Sequence, residues 1–140
     1  MEKYVLTLNR EQAKIVSHAC DLLSRLHIGQ FRELFWEFLA INQNAGVGVD
    51  RVVNNKEKIE DMLDELRMLA FPSRINNPNY DSVIANVPVA DNAYNVHQVL
   101  RYNIAHHDCP EGGETIDFHK PIMLGVAELP VCEVISNFMG

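Results

Sequence analysis

The sequence predicts an α+β fold, in which a layer of about four helices packs on a small, mostly antiparallel sheet. Three observations predict this class. Long stretches repeat apolar residues at three- and four-residue spacing, as on an amphipathic helix. Short stretches near both ends alternate apolar and polar residues, as strands do. The 140 residues are 47% hydrophobic and 22% charged, which is typical of one globular domain spanning residues 1–140.

Charge and cysteine content narrow the function classes. A formal net charge of -7 argues against general binding to nucleic acid or to anionic membranes, which needs a basic surface, although it allows a local basic pocket. The three cysteines contain no CxxC spacing, which favours reduced thiols. No stretch approaches the ~18 apolar residues that a membrane span needs. We therefore expect a soluble, cytoplasmic protein with no membrane partner.

The N-terminal quarter holds a predicted strand and a predicted helix. Lys3–Leu8 alternates and predicts a short strand. Asn9 is placed to cap the following helix, and Gln12 stands where a capping box has Glu or Gln. Apolar spacing carries this helix to about Ile28, and Gly29 is typical of a left-handed stop.

A second helix is predicted from Phe31 to about Ile41. Its residues Phe31–Leu39 are so densely apolar that we expect them to face both the domain core and another copy of the chain. The sequence therefore predicts a homo-oligomer through this region. The loop Asn42–Asp50 contains Gly-Val-Gly but no third glycine and no Lys-Ser/Thr, so it indicates a turn and not a phosphate loop.

A third helix is predicted from about Asn55 to Leu69, ended by Pro72, with its charged residues, including Arg67, on a solvated face. The connection that follows is long and proline-rich, with one short strand expected at 82–84.

The last third predicts a helix, a turn and two closing strands. Asp91 is the predicted cap of the fourth helix, which reaches His106-His107-Asp108. A Pro-Glu-Gly-Gly turn follows. Thr115–Phe118 and Val131–Ile135 are the expected strands.

The helix-turn-strand unit can form an anion site. Arginine offers a planar fork for phosphate, two glycines can present backbone amides, an aspartate can hold a ribose hydroxyl, and an aromatic ring can stack on a base. The structural alternative for Arg101 is an ion pair with a glutamate. The predicted ligand-binding residues are Arg101, Tyr102, His106, Gly112, Gly113, Asp117, Phe118 and His119.

The same unit offers two weaker chemistries. A metal site would draw on His106, His107, Asp108 and His119, but neighbouring positions on a helix point in different directions. Histidines near a helix C-terminus also interact favourably with its dipole. Cys109 beside these histidines lacks an identifiable orienting group for nucleophilic catalysis. We therefore predict no catalytic residue, no bound metal and no cofactor.

The pattern resembles that of small accessory proteins of bacteriophages and prophages. The resemblance rests on a helix with a Tyr-Asn-Val-His-Gln-Val-Leu-Arg-Tyr core, on Pro-Glu-Gly-Gly, on an Ile-Asp-Phe element, and on single motifs near both ends. It covers about half of the chain, with one departure, since His106 stands where such proteins tend to have an aromatic residue. The segments are 93–102, Ala105, 110–113, 116–118, Pro121, 128–130 and 26–31.

The resemblance implies a context and no catalytic residue. Such proteins often counter host defence, either by sequestering nucleotide signals or by blocking a defence protein. Our leading expectation is a non-enzymatic protein of the host cytoplasm that binds a small anionic, nucleotide-like immune signal. The alternatives are a protein-binding inhibitor of a host defence protein and, third, a metal-dependent hydrolase that uses the histidine cluster.

Overall fold

The computed structural model describes residues 2–71, 87–126 and 128–135. The chain divides into two compact units. Unit 1 combines Met1–Ser24 with Pro88–Gly140, and unit 2 is Arg25–Val87. The expectation of one domain over residues 1–140 stays a prediction.

The predicted sheet is wrong, because the described ranges contain helices and irregular segments but no strand. Lys3–Leu8 is irregular, with Tyr4 and Val5 exposed. Ile116–Phe118 is a turn of 3-10 helix, and 131–135 is irregular. The expected strand at 82–84 lies outside the described residues. A short alternating run forms a strand only when another strand satisfies its backbone and covers its apolar face, and these segments have no such neighbour among the described residues.

Helix α1 (Arg10–His27) has the two ends that the sequence predicts. The amide of Gln12 donates to Asn9 Oδ1 at 2.8 Å, and the amide of Asn9 donates to Gln12 Oε1 at 3.0 Å, which completes the capping box. At the other end Gly29 has φ 86, and the amide of Gln30 donates to the Arg25 carbonyl at 2.9 Å. This left-handed Schellman stop satisfies carbonyls that the helix leaves open.

Unit 2 contains a 3-10 turn (Phe31–Glu33) and the helices α2 (Leu34–Asn44), α3 (Asp50–Asn54) and α4 (Lys56–Ala70). Helix α3 was not predicted, since the predicted loop ends at Asp50 and the next predicted helix begins at about Asn55. Phe35 and Leu63 are buried, and the Phe31 and Phe71 rings meet edge to face at 5.0 Å. Arg67 is also buried, so its placement on a solvated face is wrong.

The 3-10 turn is tied to α4 by an ion-pair network. Arg32 Nε and Nη2 donate to the two carboxylate oxygens of Asp64 at 3.1 and 2.7 Å, and Arg32 also lies 3.2 Å from Glu60. Phe31 packs against the Phe71 ring and Phe35 is buried, so some of the apolar residues of 31–39 belong to the core of unit 2. Oligomerisation through that region stays a prediction.

Unit 1 is organised on helix α5 (Pro88–Asp108). The helix begins three residues before the predicted cap Asp91, at a proline whose missing N–H costs nothing in the first turn. An irregular segment at Ile122 and Leu124 lies alongside α5. Its backbone groups bond to two buried amide side chains of α5, Asn95 and Gln98, and not to a neighbouring strand. Gln98 bonds both the amide and the carbonyl of Ile122 (2.9 and 2.8 Å), and Asn95 does the same for Leu124 (2.8 and 3.0 Å).

No helix in the described ranges is long and apolar enough to cross a bilayer.

Candidate functional site

A groove of about 380 Å³ lies between α1 and α5 within unit 1. Its α1 wall repeats polar side chains at three- and four-residue spacing, and its α5 wall does the same, so each helix contributes one face. We call this the α1–α5 groove. It is lined by Arg10, Lys14, Ser17, His18, His97, Arg101, Ile104, Ala105, Asp108 and Asp117.

The two walls are joined by side-chain bonds that show the helices to be antiparallel. Arg10 forms a two-bond pair with Asp108, with Nη2 and Oδ2 2.5 Å apart. Further along α1, Ser17 bonds His97, an earlier residue of α5. The Arg10 hydrogen bonds hold the pKa of Asp108 below its usual value. Arg10 and Asp108 therefore satisfy each other's charge at one end of the groove.

His97 links the walls at the other end and positions Arg101. Its Nδ1 lies 2.9 Å from Ser17 Oγ and 3.0 Å from the Ser17 carbonyl, while Ser17 Oγ donates to the His97 carbonyl at 3.2 Å. The Ser17 carbonyl can only accept, so this network assigns the proton to Nδ1. The lone pair of Nε2 then accepts from Arg101 Nη1 at 3.4 Å.

Arg101 is the unusual cation of the groove. It is half-buried, and within the described residues no carboxylate lies at ion-pair distance from its guanidinium. Its buried Nε has no hydrogen-bond partner there either. The structural alternative, an ion pair with a glutamate, is therefore not what this part of the chain shows. Unused donors of a guanidinium form their strongest hydrogen bonds with an anion.

The predicted ligand-binding residues separate into three sets. Arg101 and Asp117 both line the groove. Tyr102, His106, Gly113 and Phe118 contact one another instead: the His106 ring centroid lies 4.3 Å from that of Tyr102 and 5.2 Å, edge to face, from that of Phe118. The Phe118 ring rests directly on Gly113, where an added Cβ would stand 2.4 Å from its Cε2.

The remaining two predicted residues, Gly112 and His119, are not among the residues that line the groove. Gly112 takes a left-handed conformation with φ 86, close to His106, and its amide donates to the Cys109 carbonyl at 2.9 Å. His119 is exposed just after the 3-10 helix.

The histidine cluster does not assemble. Across the described part of the chain no group of three or more His, Cys, Asp or Glu side chains is close enough to hold a metal ion. Asp108 is bonded to Arg10, and His106 lies against Phe118.

Cys109 is held in a way that weakens it as a nucleophile. Its Sγ donates to Glu111 Oε1 at 2.9 Å, and this bond to a carboxylate raises the pKa of the thiol. A nucleophilic cysteine needs the opposite shift.

The sequence did not predict the polar groove residues Arg10, Lys14, Ser17, His18 and His97, nor the buried amide side chains of Asn95 and Gln98. The available signal was helix spacing: Arg10, Lys14, Ser17 and His18 share one face of α1, as His97 and Arg101 share one face of α5. Asn95 and Gln98 gave a weaker signal, two amides three positions apart inside an otherwise apolar stripe.

Comparison of the chain with models of protein families, with curated proteins and with solved structures found no match.

Proposed function

We propose that this chain binds and sequesters a small anionic, nucleotide-like ligand in the α1–α5 groove, without converting it chemically. The observation that carries the proposal is Arg101, a half-buried guanidinium that has no carboxylate partner among the described residues. A phosphate group would satisfy the donors that Arg101 leaves unused, in the charge-assisted, two-bond geometry that arginine favours.

The charge balance of the groove supports an anionic ligand. Arg10 and Asp108 neutralise each other, which leaves Lys14 and Arg101 as cations and Asp117 as the single unpaired carboxylate of the lining. The lining thus carries two unpaired cations against one unpaired carboxylate, on a chain of formal net charge -7, and the Asp21 carboxylate lies 3.9 Å from His97 Nε2. Such a local field favours a small phosphate-bearing molecule over a nucleic acid, whose long backbone would also meet the acidic surface.

The polar groups around Arg101 suit the rest of a nucleotide. Asp117 can accept a hydrogen bond from a sugar hydroxyl, and the Ser17–His97 network holds the guanidinium in place. The resemblance to phage accessory proteins supports the further proposal that the ligand is a nucleotide signal made by host defence. Sequestration in the host cytoplasm would then lower the free signal, which requires tight binding and no catalysis.

Native mass spectrometry with a panel of cyclic nucleotides and ADP-ribose derivatives tests this proposal, followed by calorimetry on any ligand that binds. The expected result is a mass increase that is released unchanged on denaturation. In the Arg101→Gln variant we expect affinity to fall about 10- to 100-fold, because charge-assisted hydrogen bonds contribute about 1.5–3 kcal/mol.

The matched control is Arg51→Gln, which removes the same charge from an exposed arginine of unit 2. It should bind at full strength. Equal binding by wild type and a folded Arg101→Gln variant would remove Arg101 from the site. The absence of any mass shift across the panel would remove the proposed function itself.

A second candidate function is inhibition of a host protein by direct contact. The exposed apolar side chains Trp36 and Ile41 on α2 favour it, because aromatic residues at a surface often anchor protein interfaces. Co-purification of one host protein with wild type, lost in Trp36→Ser, would support this candidate.

A further inference from the structure

Helix α4 carries an apolar stripe that the described residues of its own unit leave exposed. Met62, Leu66 and Leu69 are 60%, 48% and 86% exposed, whereas Leu63 on the adjacent face is buried. With Ile59 these three residues follow a three-four-three spacing, which brings them onto one side of the helix. Helix α4 therefore has two apolar faces, and only one of them belongs to the core of unit 2.

An open groove continues this stripe toward the N-terminal end of α4. It has a volume of about 580 Å³. Its apolar lining residues are Val52, Ile59 and Met62, and its polar lining residues are Asn42, Arg51, Asn55 and Lys58. We call it the α3–α4 groove.

We infer that α4 pairs antiparallel with α4 of a second copy, so that Leu66 and Leu69 of each copy occupy the α3–α4 groove of the other. A two-fold axis makes such an interface self-complementary, because the same surface acts once as groove and once as stripe. The groove includes the first half of the stripe, Ile59 and Met62, together with residues of α2 and α3. Leu66 and Leu69 continue the stripe toward the C-terminal end of α4, so that an antiparallel pair brings the leucines of one copy to the groove of the other.

The register follows from the spacing. Setting Ile59 against Met62 of the second copy places Asn55 against the second copy's Leu66, and Val52 against its Leu69. The exposed leucines of one copy then fill the groove of the other. The two-fold axis forms each of these residue pairs twice. This pairing covers the most exposed side chain of the stripe, Leu69.

Charge selects the antiparallel direction. Lys58 and Glu65 flank the stripe, and in the described part of the chain neither one forms an ion pair. The antiparallel register brings Lys58 of each copy beside Glu65 of the other. A parallel pair would instead set Lys58 of one copy against Leu63 of the other, and Leu63 is buried in the core of unit 2. The opposite charges are therefore complementary in one direction only.

Sedimentation equilibrium over a wide concentration range tests the apolar part of the inference. We expect a monomer–dimer equilibrium for wild type and a monomer for Leu69→Ser. Because Leu69 is 86% exposed, its replacement should leave the fold of unit 2 intact, as circular dichroism would show. The matched control is Met68→Ser, which removes a 66% exposed apolar residue from a different face of α4 and should leave the dimer unchanged.

A charge exchange tests the direction. K58E and E65K each place like charges together twice across the interface and should weaken the dimer about tenfold. The double variant K58E/E65K restores opposite charges between copies and should return to near the wild-type affinity. The two positions are seven residues apart on one helix, too far for direct contact between their side chains within a single copy.

A wild-type chain that stays monomeric at all concentrations would overturn the inference. So would a dimer that Leu69→Ser leaves intact, which would move the interface elsewhere, for instance to the exposed Trp36 and Phe38. If the double variant loses as much affinity as the two single variants combined, the antiparallel register is wrong.

Discussion

Removal of the Asn95 side chain should release the segment that passes α5. Asn95 is 1% exposed, and its amide group accepts from the Leu124 amide at 2.8 Å and donates to the Leu124 carbonyl at 3.0 Å. No other side chain among the described residues bonds the backbone of Leu124. In Asn95→Ala both bonds are lost together, and so is the longer bond, 3.4 Å, that Asn95 Oδ1 accepts from Gln98 Nε2.

The magnitude can be worked from these two bonds. Each contributes about 1 kcal/mol net, and the Leu124 backbone groups are only partly buried, so water recovers much of the further penalty for leaving them unpaired. Alanine is a better helix former than asparagine by about 0.5 kcal/mol, which acts in the opposite direction. We therefore expect the free energy of unfolding to fall by about 1.5–2 kcal/mol.

Urea unfolding followed by circular dichroism measures this change, and hydrogen exchange at Leu124 locates it. The exchange rate of the Leu124 amide should rise at least about tenfold, since about 1.4 kcal/mol corresponds to one decade. Asn92→Ala is the matched control: Asn92 is exposed on the same helix, and its side chain bonds only the Pro88 carbonyl of its own first turn. Its stability should change by less than about 0.5 kcal/mol.

Unfolding of Asn95→Ala at the same urea concentration as Asn92→Ala, with the Leu124 amide still protected from hydrogen exchange, would contradict this prediction. That outcome would mean that packing, and not the side-chain amides, holds the segment on α5.

Two further predictions concern unit 1. Gly113→Ala should destabilise it by about 1–3 kcal/mol in thermal unfolding, because the new Cβ would stand 2.4 Å from the Phe118 ring, whereas Gly48→Ala, with no heavy atom within 4 Å, should stay within about 0.5 kcal/mol of wild type. The Arg10–Asp108 pair should stabilise the fold only while Asp108 is charged. Since Arg10 lowers the pKa of Asp108 in the folded state, its contribution is present above the ordinary carboxyl value of 3.8 and is lost as the pH falls through the lower folded value. The stability difference between wild type and Asp108→Asn should therefore shrink from neutral to acid pH; a difference that stays constant would contradict this assignment.

The helix ends could be predicted from sequence because their interactions are local. The capping box joins Asn9 to Gln12, and the stop at Gly29 involves residues of the last turn. The predicted strands were wrong because strand formation depends on pairing with distant parts of the chain. Alternation in Lys3–Leu8 or 131–135 says nothing about whether another strand lies alongside. In unit 1 the backbone of the segment at Ile122 and Leu124 is satisfied by two side chains of a helix, which no periodicity indicates.

The candidate site was predicted in part, for a related reason. Arginine and aspartate could be selected by chemistry, and Arg101 and Asp117 do line one groove. Its other wall comes from α1, about ninety positions earlier in the chain, and only the spacing of Arg10 and Lys14 hints at it. The Phe118 ring, which was expected to stack on a base, instead meets the His106 ring edge to face with the ring centroids 5.2 Å apart.

The stability of an Arg101 variant separates a binding role from a structural one. A residue kept for structure should cost stability when it is replaced. Arg101 instead leaves its buried Nε without a partner in the described chain, a cost that Arg101→Met removes while keeping a side chain of similar length. If Arg101 is retained for a ligand, Arg101→Met should unfold at the same or a higher urea concentration than wild type, by up to about 1 kcal/mol, and should bind the ligand less tightly. Loss of stability together with binding would show that the guanidinium supports the fold, and the reduced affinity would then no longer locate the ligand.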